Sequence, residues 1–216
     1  MLVRERMTVN PVTIAPDASV PDALRLMRER KVRRLPVLDG HGRLVGIVSD
    51  KDLLHASPSP ATTLAIWEIP ELLARLKVEK VMTREVITVT EDTPLEEAAC
   101  LMADRRIGGL PVMRGKTLVG IITETDLFKS LLQLLGGRRP GVRLTVLTSG
   151  AKGTLAQITS AIFGVGGDIV GLGFSEVTEA AETQWHITFK VQGVAREKLV
   201  AAVRPVVDEI LDVRET

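Results

Sequence analysis

Residues 7–53 and 82–127 are two copies of one sequence, identical at 18 positions once a single gap is placed in a turn. Met7-Thr8 matches Met82-Thr83, Leu26-Met27 matches Leu101-Met102, "LPV" at 35–37 recurs at 110–112, and "LVGI" at 44–47 recurs at 118–121. Val12/Ile87, Val32/Ile107 and Ser49/Thr123 fall into the same register as conservative pairs. Such self-similarity means two copies of one supersecondary unit. A unit of about 50 residues buries too little surface to be comfortable alone. The copies are therefore expected to pack with pseudo-twofold symmetry, sheet against sheet, leaving related clefts between them.

Each copy reads as strand, helix, strand, strand, helix. Ser19-Val20-Pro21-Asp22 and Thr93-Pro94-Leu95-Glu96 have the form of capping boxes with proline in the first turn. Leu95, Ala98, Ala99 and Met102 recur at i, i+3, i+4 and i+7, the spacing of one buried helix face. Cys100 falls inside that stretch and reads as a small buried residue. "LPVLDGHGRLVGIV" gives two strands about an Asp39-Gly40 turn, and Arg114-Gly115 serves the second copy with one residue fewer.

The phrase "GIVSDKDLL" at 46–54 returns as "GIITETDLF" at 120–128. Ser49 with Asp52, and Thr123 with Asp126, have the spacing of a capping box. A helix N-terminus also favours anions, and a carboxylate one turn in can accept both hydroxyls of a ribose. Capping and nucleotide binding are both open to these residues. The "MT" opening, the "LPV" strand and the G-h-h-[ST]-x-x-D phrase, each present twice, make residues 3–134 resemble a tandem pair of cystathionine-β-synthase (CBS) domains. That resemblance implies ribose binding by Asp52 and Asp126, with Ser49 and Thr123 beside ribose or phosphate. It implies an adenine slot lined by Val12, Thr13, Arg34 and Pro36 in one copy and by Ile87, Thr88, Gly109 and Pro111 in the other. Arg33-Arg34 precede one "LPV" and Gly108-Gly109 the other. The expectation is that only the first site carries arginines.

Between the copies, Ser57-Pro58-Ser59-Pro60 reads as a linker and Leu64 to Leu76 as an apolar docking helix carrying Trp67, Ile69, Leu72, Leu73 and Leu76. This inter-repeat segment resembles that of acetoin-utilisation B (AcuB-type) proteins.

Gly136 to Gly141 breaks the pattern. "VRLTVLT" then reads as a strand, and a helix follows Gly153 with Leu155, Ile158, Ile162 and Phe163 on one side. Two more strands, a helix from about Arg196 and the strand "ILDVRE" complete a ferredoxin-like βαββαβ order. "GVGGDIVGLG" is not a dinucleotide loop, because it follows a helix and opens a strand. The pattern "AKGTLAQI…GGDI" resembles an ACT domain, a small-molecule-binding regulatory module. The resemblance implies a ligand loop with Gly153, Leu155, Asp168 and Ile169. Gly150 stands where many members carry an acid, and Asp168 where Asn is frequent, so dimerisation without ligand is the alternative.

The fold expected is mixed α/β: CBS domain 1 over 1–60, an inter-repeat segment over 61–76, CBS domain 2 over 77–135, a linker over 136–141 and an ACT domain over 142–216. A net charge of +1 and 3% aromatic residues, with no tyrosine, argue against nucleic acid and anionic membranes as partners. One cysteine excludes a disulfide within the chain and a cysteine-based zinc cluster. No stretch has the form of a signal peptide or a bilayer span, which points to the cytoplasm. His41, His55 and His186 fall in separate units, and no nucleophile elbow or Walker loop appears. The reading is a non-catalytic regulatory protein with no obligatory cofactor. An adenine nucleotide (AMP, ADP, ATP or a related adenosyl compound) is the regulatory ligand, and a homodimer is expected. The alternative is a ligand-free adaptor docking onto a metabolic enzyme.

Overall fold

Ser19 starts the first long helix. Its hydroxyl accepts from the Asp22 amide, and helix α1 runs Val20–Arg30 with Val20, Ala23 and Met27 buried on one face. The computed structural model describes residues 1–56, 75–179 and 182–216. Of the expected docking helix, Trp67, Ile69, Leu72 and Leu73 lie outside these residues, as does the Ser57–Pro60 linker. Leu76 is described and packs against the first repeat's core. The chain divides into two compact units, Met1–Leu127 and Phe128–Thr216. The division falls inside the helix Glu124–Leu134, upstream of the Gly136–Gly141 break.

In the first unit, β1 is Thr8–Val9, and β2 (Arg34–Leu38), β3 (Leu44–Ser49) and α2 (Asp50–His55) recur as β5 (Gly109–Arg114), β6 (Thr117–Thr123) and α4 (Glu124–Leu134). In the repeat register β1 matches the segment at Thr83, and β4 (Val89–Thr90), parallel to β5, matches Ile14, which bridges Val37 of β2. Helix α3 (Leu95–Arg105) is the counterpart of α1. Two cores result, one around Val20, Met27, Leu35, Val37, Val48 and Leu53, the other around Leu95, Met102, Leu110, Val112 and Ile122.

The copies are not self-contained. Strand β1, at the front of the first repeat, pairs with β6 of the second, Thr8 opposite Ile121. Thr83, at the front of the second, bridges back to Ile47 in β3. Val3 is buried in the second core and Val78 in the first, and the Val3 and Val78 amides bond Thr93 and Ala18 carbonyls respectively. Gly46 and Gly120 explain the recurring "VGI". A Cβ at Gly46 would strike the Met82 side chain, and one at Gly120 would strike Met7. Each "MT" therefore lies over the glycine of the opposite copy.

Two local expectations fail. Thr93 does not cap α3: Pro94 holds the N-cap position without a side-chain bond, while the Thr93 hydroxyl accepts from the Thr90 amide. The repeat register itself aligns Pro94 with Ser19. Cys100 is exposed, because it stands two residues past Ala98, on the side of α3 away from Leu95, Ala98 and Met102.

The second unit is β7 (Val142–Thr148), α5 (Thr154–Gly164), β8 (Asp168–Glu179), β9 (Glu182–Gln192), α6 (Arg196–Val203) and β10 (Glu209–Glu215). The sheet is antiparallel with order β10-β7-β9-β8, the ferredoxin-like arrangement expected of this element order. Alternate residues of β7 and β9 (Val142, Leu144, Val146; Ile187, Phe189, Val191) meet Ile158, Ile162, Leu199 and Val203 from the helices. The apolar stripe of α5 is narrower than its sequence suggests: Phe163 is 81% exposed and Leu155 36%.

Candidate functional site

The Ser49–Asp52 capping box forms, and Thr123 bonds Asp126 in the same register. The Ser49 amide and hydroxyl donate to Asp52 Oδ2 at 2.8 and 2.7 Å, and the Thr123 amide and hydroxyl donate to Asp126 Oδ2 at 3.0 and 2.6 Å. At Asp52, Oδ1 accepts no hydrogen bond from the described residues. All four side chains are half-buried at the mouths of two clefts of about 320 and 260 Å³.

Each cleft takes walls from both repeats. Ser49 and Asp52 face Thr83, Ile87, Gly108 and Gly109 of the second copy, whereas Thr123 and Asp126 face Thr8, Val12, Arg33 and Arg34 of the first. The expected grouping by copy is therefore crossed. Val12 serves the Asp126 cleft and Ile87 the Asp52 cleft. Arg33 stands with Asp126 rather than with Asp52, and Arg34 lines both clefts, so the expectation that only the Asp52 site carries these arginines fails. The physical reason is the exchange of fronts: β1 and Thr83 each lie against the opposite repeat's strand, carrying the residues after them to the opposite aspartate. Thr13, Pro36, Thr88 and Pro111 line neither cleft; Pro36 and Pro111 are buried in their strands and Thr88 is exposed.

The walls also hold residues that the sequence reading missed. Ile47 and Ile121 supply matched apolar floor, and Lys31 and Arg106 supply matched cations. Lys31 and Arg106 are left-handed helix C-caps, each at φ 54°, a conformation usually left to glycine. Their signal was in the register, since both long cations follow the same helix at the same repeat position. Other matched positions diverge. Glu85 stands where the Asp126 cleft has Asn10, and Lys51 where it has Thr125. The Asp126 cleft thus has Lys31, Arg33 and Arg34 against one carboxylate, and the Asp52 cleft has Arg34, Lys51 and Arg106 against two.

In the second unit the four residues expected as one ligand loop are not together. Gly153 is the N-cap of α5, with φ 91°, and Leu155 follows in its first turn. Asp168 and Ile169 open β8 beyond the other end of that helix, opposite Gln192 and Val191. The eleven-residue helix lies between Gly153 and Asp168, about 16 Å long at the usual rise per residue. Gly150, at φ 72°, lies against the indole of Trp185, so a side chain there would meet the ring. Among the described residues no group of histidine, cysteine and carboxylate side chains is placed to hold a metal ion, and no helix is long and apolar enough to cross a membrane.

Two composite clefts between repeats, each lined by an aspartate at a helix start, define a paired-repeat module. The CBS domain model matches residues 3–59 and 78–133, over half of the sequence, and the chain belongs to the CBS domain family. It is similar to a CBS domain-containing protein of Dictyostelium discoideum, 35% identical over 62% of this chain and 94% of that one. It is 31% identical to the L-aspartate semialdehyde sulfurtransferase of Methanocaldococcus jannaschii but spans only 24% of that enzyme. Among solved structures, CBSX2 in complex with AMP is 35% identical over 61% of this chain and 96% of that one, with a TM-score of 0.51. The CBS domain pair of protein MJ0100, in complex with 5′-methylthioadenosine and S-adenosyl-L-methionine, is 28% identical over 64% and 98%, with a TM-score of 0.52. A putative acetoin utilization protein (AcuB) from Vibrio cholerae is 33% identical over 64% and 95%, with a TM-score of 0.53.

Proposed function

We propose that the chain is a regulatory, non-catalytic protein whose CBS pair binds an adenine nucleotide or a related adenosyl ligand. The observation that carries this reading is the division of labour at Asp52. Both capping bonds fall on Oδ2, while the residue lines a cleft with apolar walls at Ile47 and Ile87. Cap and ribose ligand are therefore compatible roles for one carboxylate. The complexes of CBSX2 with AMP and of MJ0100 with adenosyl compounds support the ligand class. In this reading Asp52 and Asp126 hold ribose, Ser49 and Thr123 lie beside it, and Ile87 and Val12 face the base.

Residues 142–216 are read as an ACT domain serving a second small ligand or homodimerisation, supported by the β10-β7-β9-β8 sheet order. The similarity to the Vibrio cholerae protein favours a second reading, an adaptor of acetoin-utilisation type that docks onto a metabolic enzyme with its clefts empty.

The test is affinity and melting on the same variants. A charge-assisted hydrogen bond contributes roughly 1.5–3 kcal/mol. Losing the carboxylate is therefore expected to cost about 2–4 kcal/mol of binding, roughly 30- to 1000-fold in affinity for AMP. Asp52→Asn and Asp126→Asn should each lose about 1 kcal/mol or less of stability as cap variants. Unchanged AMP affinity in both single variants and the double variant would remove the ribose role. Absence of binding by wild type across AMP, ADP, ATP and S-adenosylmethionine would favour the adaptor.

A further inference from the structure

The two clefts are related residue for residue by the repeat, with one exception. Arg34 lines the Asp126 cleft, where the repeat places it, and it also lines the Asp52 cleft, where its counterpart Gly109 already stands. Glycine makes that reach feasible. A Cβ at Gly108 would sit on the Arg34 guanidinium, and one at Gly109 would come within 3.2 Å of its Cδ. The second copy thus gives up two side chains, and the first copy's arginine fills the space between the clefts.

We infer that Arg34 is shared by the two clefts and makes their occupancy by phosphorylated ligands mutually antagonistic. This rests on the nucleotide-binding reading above. The Arg34 side chain is 22% exposed, and its ion-pair contact, with the 52% exposed side chain of Glu124, is long at 3.9 Å. Contacts of that kind stabilise little. A guanidinium engages a phosphate most strongly through a planar, bidentate fork. One fork directed at a phosphate in one cleft is withdrawn from the other, so the second phosphate binds without it. By linkage the effect is reciprocal.

The two clefts then suit different ligand classes. Lys31 and Arg33 stand beside Arg34 in the Asp126 cleft, whereas Glu85 opposes the cations of the Asp52 cleft. A phosphorylated nucleotide fills the Asp126 cleft first. The Asp52 cleft is left to an adenosyl ligand without phosphate, which makes no demand on Arg34.

Calorimetric titration with AMP and with adenosine tests this on wild type, Asp52→Asn and Asp126→Asn, each first shown to melt cooperatively. For independent clefts, the product of the two wild-type association constants equals the product of the constants from the single-cleft variants. For AMP the wild-type product should fall short by roughly 5-fold or more, the scale of ordinary coupling between sites. For adenosine the products should agree. The AMP shortfall should vanish when all three proteins also carry Arg34→Met, with Arg34→Gln as a second replacement should the first fail to fold. Two AMP sites with equal products in wild type would overturn the inference, as would a shortfall that survives loss of Arg34. No heat with either ligand removes the nucleotide reading and the coupling together, and is distinct from two independent sites.

Discussion

Gly46 and Gly120 show how much a missing side chain decides. Each gives its space to a methionine from the other repeat, and the Thr83 and Thr8 carbonyls lie 3.1 Å from where a Cβ would stand. Gly46→Ala should therefore destabilise by about 1–3 kcal/mol, the usual cost of overpacking. In a Met82→Ala background the same change should cost less, because the clash is with Met82 and the pair is non-additive. Urea melts of the four proteins check this, and a Gly46→Ala penalty equal in both backgrounds would refute the contact. Both residues were legible as repeated letters. Their contact was not, since it joins one copy to the other and no local spacing encodes it. The same blindness crossed the cleft assignments: Asp52 and Val12 share a repeat but not a site.

At the level of elements, the hairpin between β2 and β3 is tied by Asp39. Its carboxylate accepts from the His41 and Arg43 amides at 2.9 Å and from Arg43 Nε at 2.7 Å. These bonds, the Arg43 amide's first, hold its pKa down to about 2. An unfolded aspartate takes up its proton near 4. The folded state therefore gains stability from ionised Asp39 that is complete above about pH 4 and lost as pH falls toward 2. Protection of the His41 and Arg43 amides, taken relative to their intrinsic exchange rate at each pH, should fall across that window in wild type. Asp22, Glu91 and Asp212 are also lowered by their partners, so the difference from Asp39→Asn isolates the hairpin. An identical acid profile in the variant would dismiss Asp39 as the cause. Strands and helices were legible wherever period and turn residues agreed, as in β7, β8, β9 and the hairpins. Ends were less so: Thr93 looks like a cap in isolation, but its hydroxyl is spent on the preceding turn. Phe163 shows that i, i+3, i+7, i+8 spacing marks a stripe without saying where the neighbouring sheet stops.

At the scale of the molecule, among the described residues the cores of Met1–Leu127 share no member with the core of Phe128–Thr216. Trp185 stands in the latter, edge-on to Phe174 with ring centroids 6.4 Å apart, and in a Trp67→Phe protein it reports on that unit alone. AMP at a hundred times its dissociation constant should stabilise the nucleotide-binding unit by about 2.7 kcal/mol, visible in far-ultraviolet melting, and leave the Trp185 transition in place. Standard amino acids should shift neither, since Gly150 and Asp168 depart from the ligand pattern and Gly153 and Asp168 lie at opposite ends of α5. A Trp185 transition that follows AMP would mean that the units melt as one. The exchanged fronts carry a last consequence. A lone repeat holds at its start the piece that finishes a neighbour, Val3 or Val78, and lacks the piece that finishes itself. Such a fragment completes its core only in trans, by finding a second molecule at whatever concentration the solution offers. Joining two copies in one polypeptide replaces that search with a tethered one, at the millimolar effective concentrations short linkers provide.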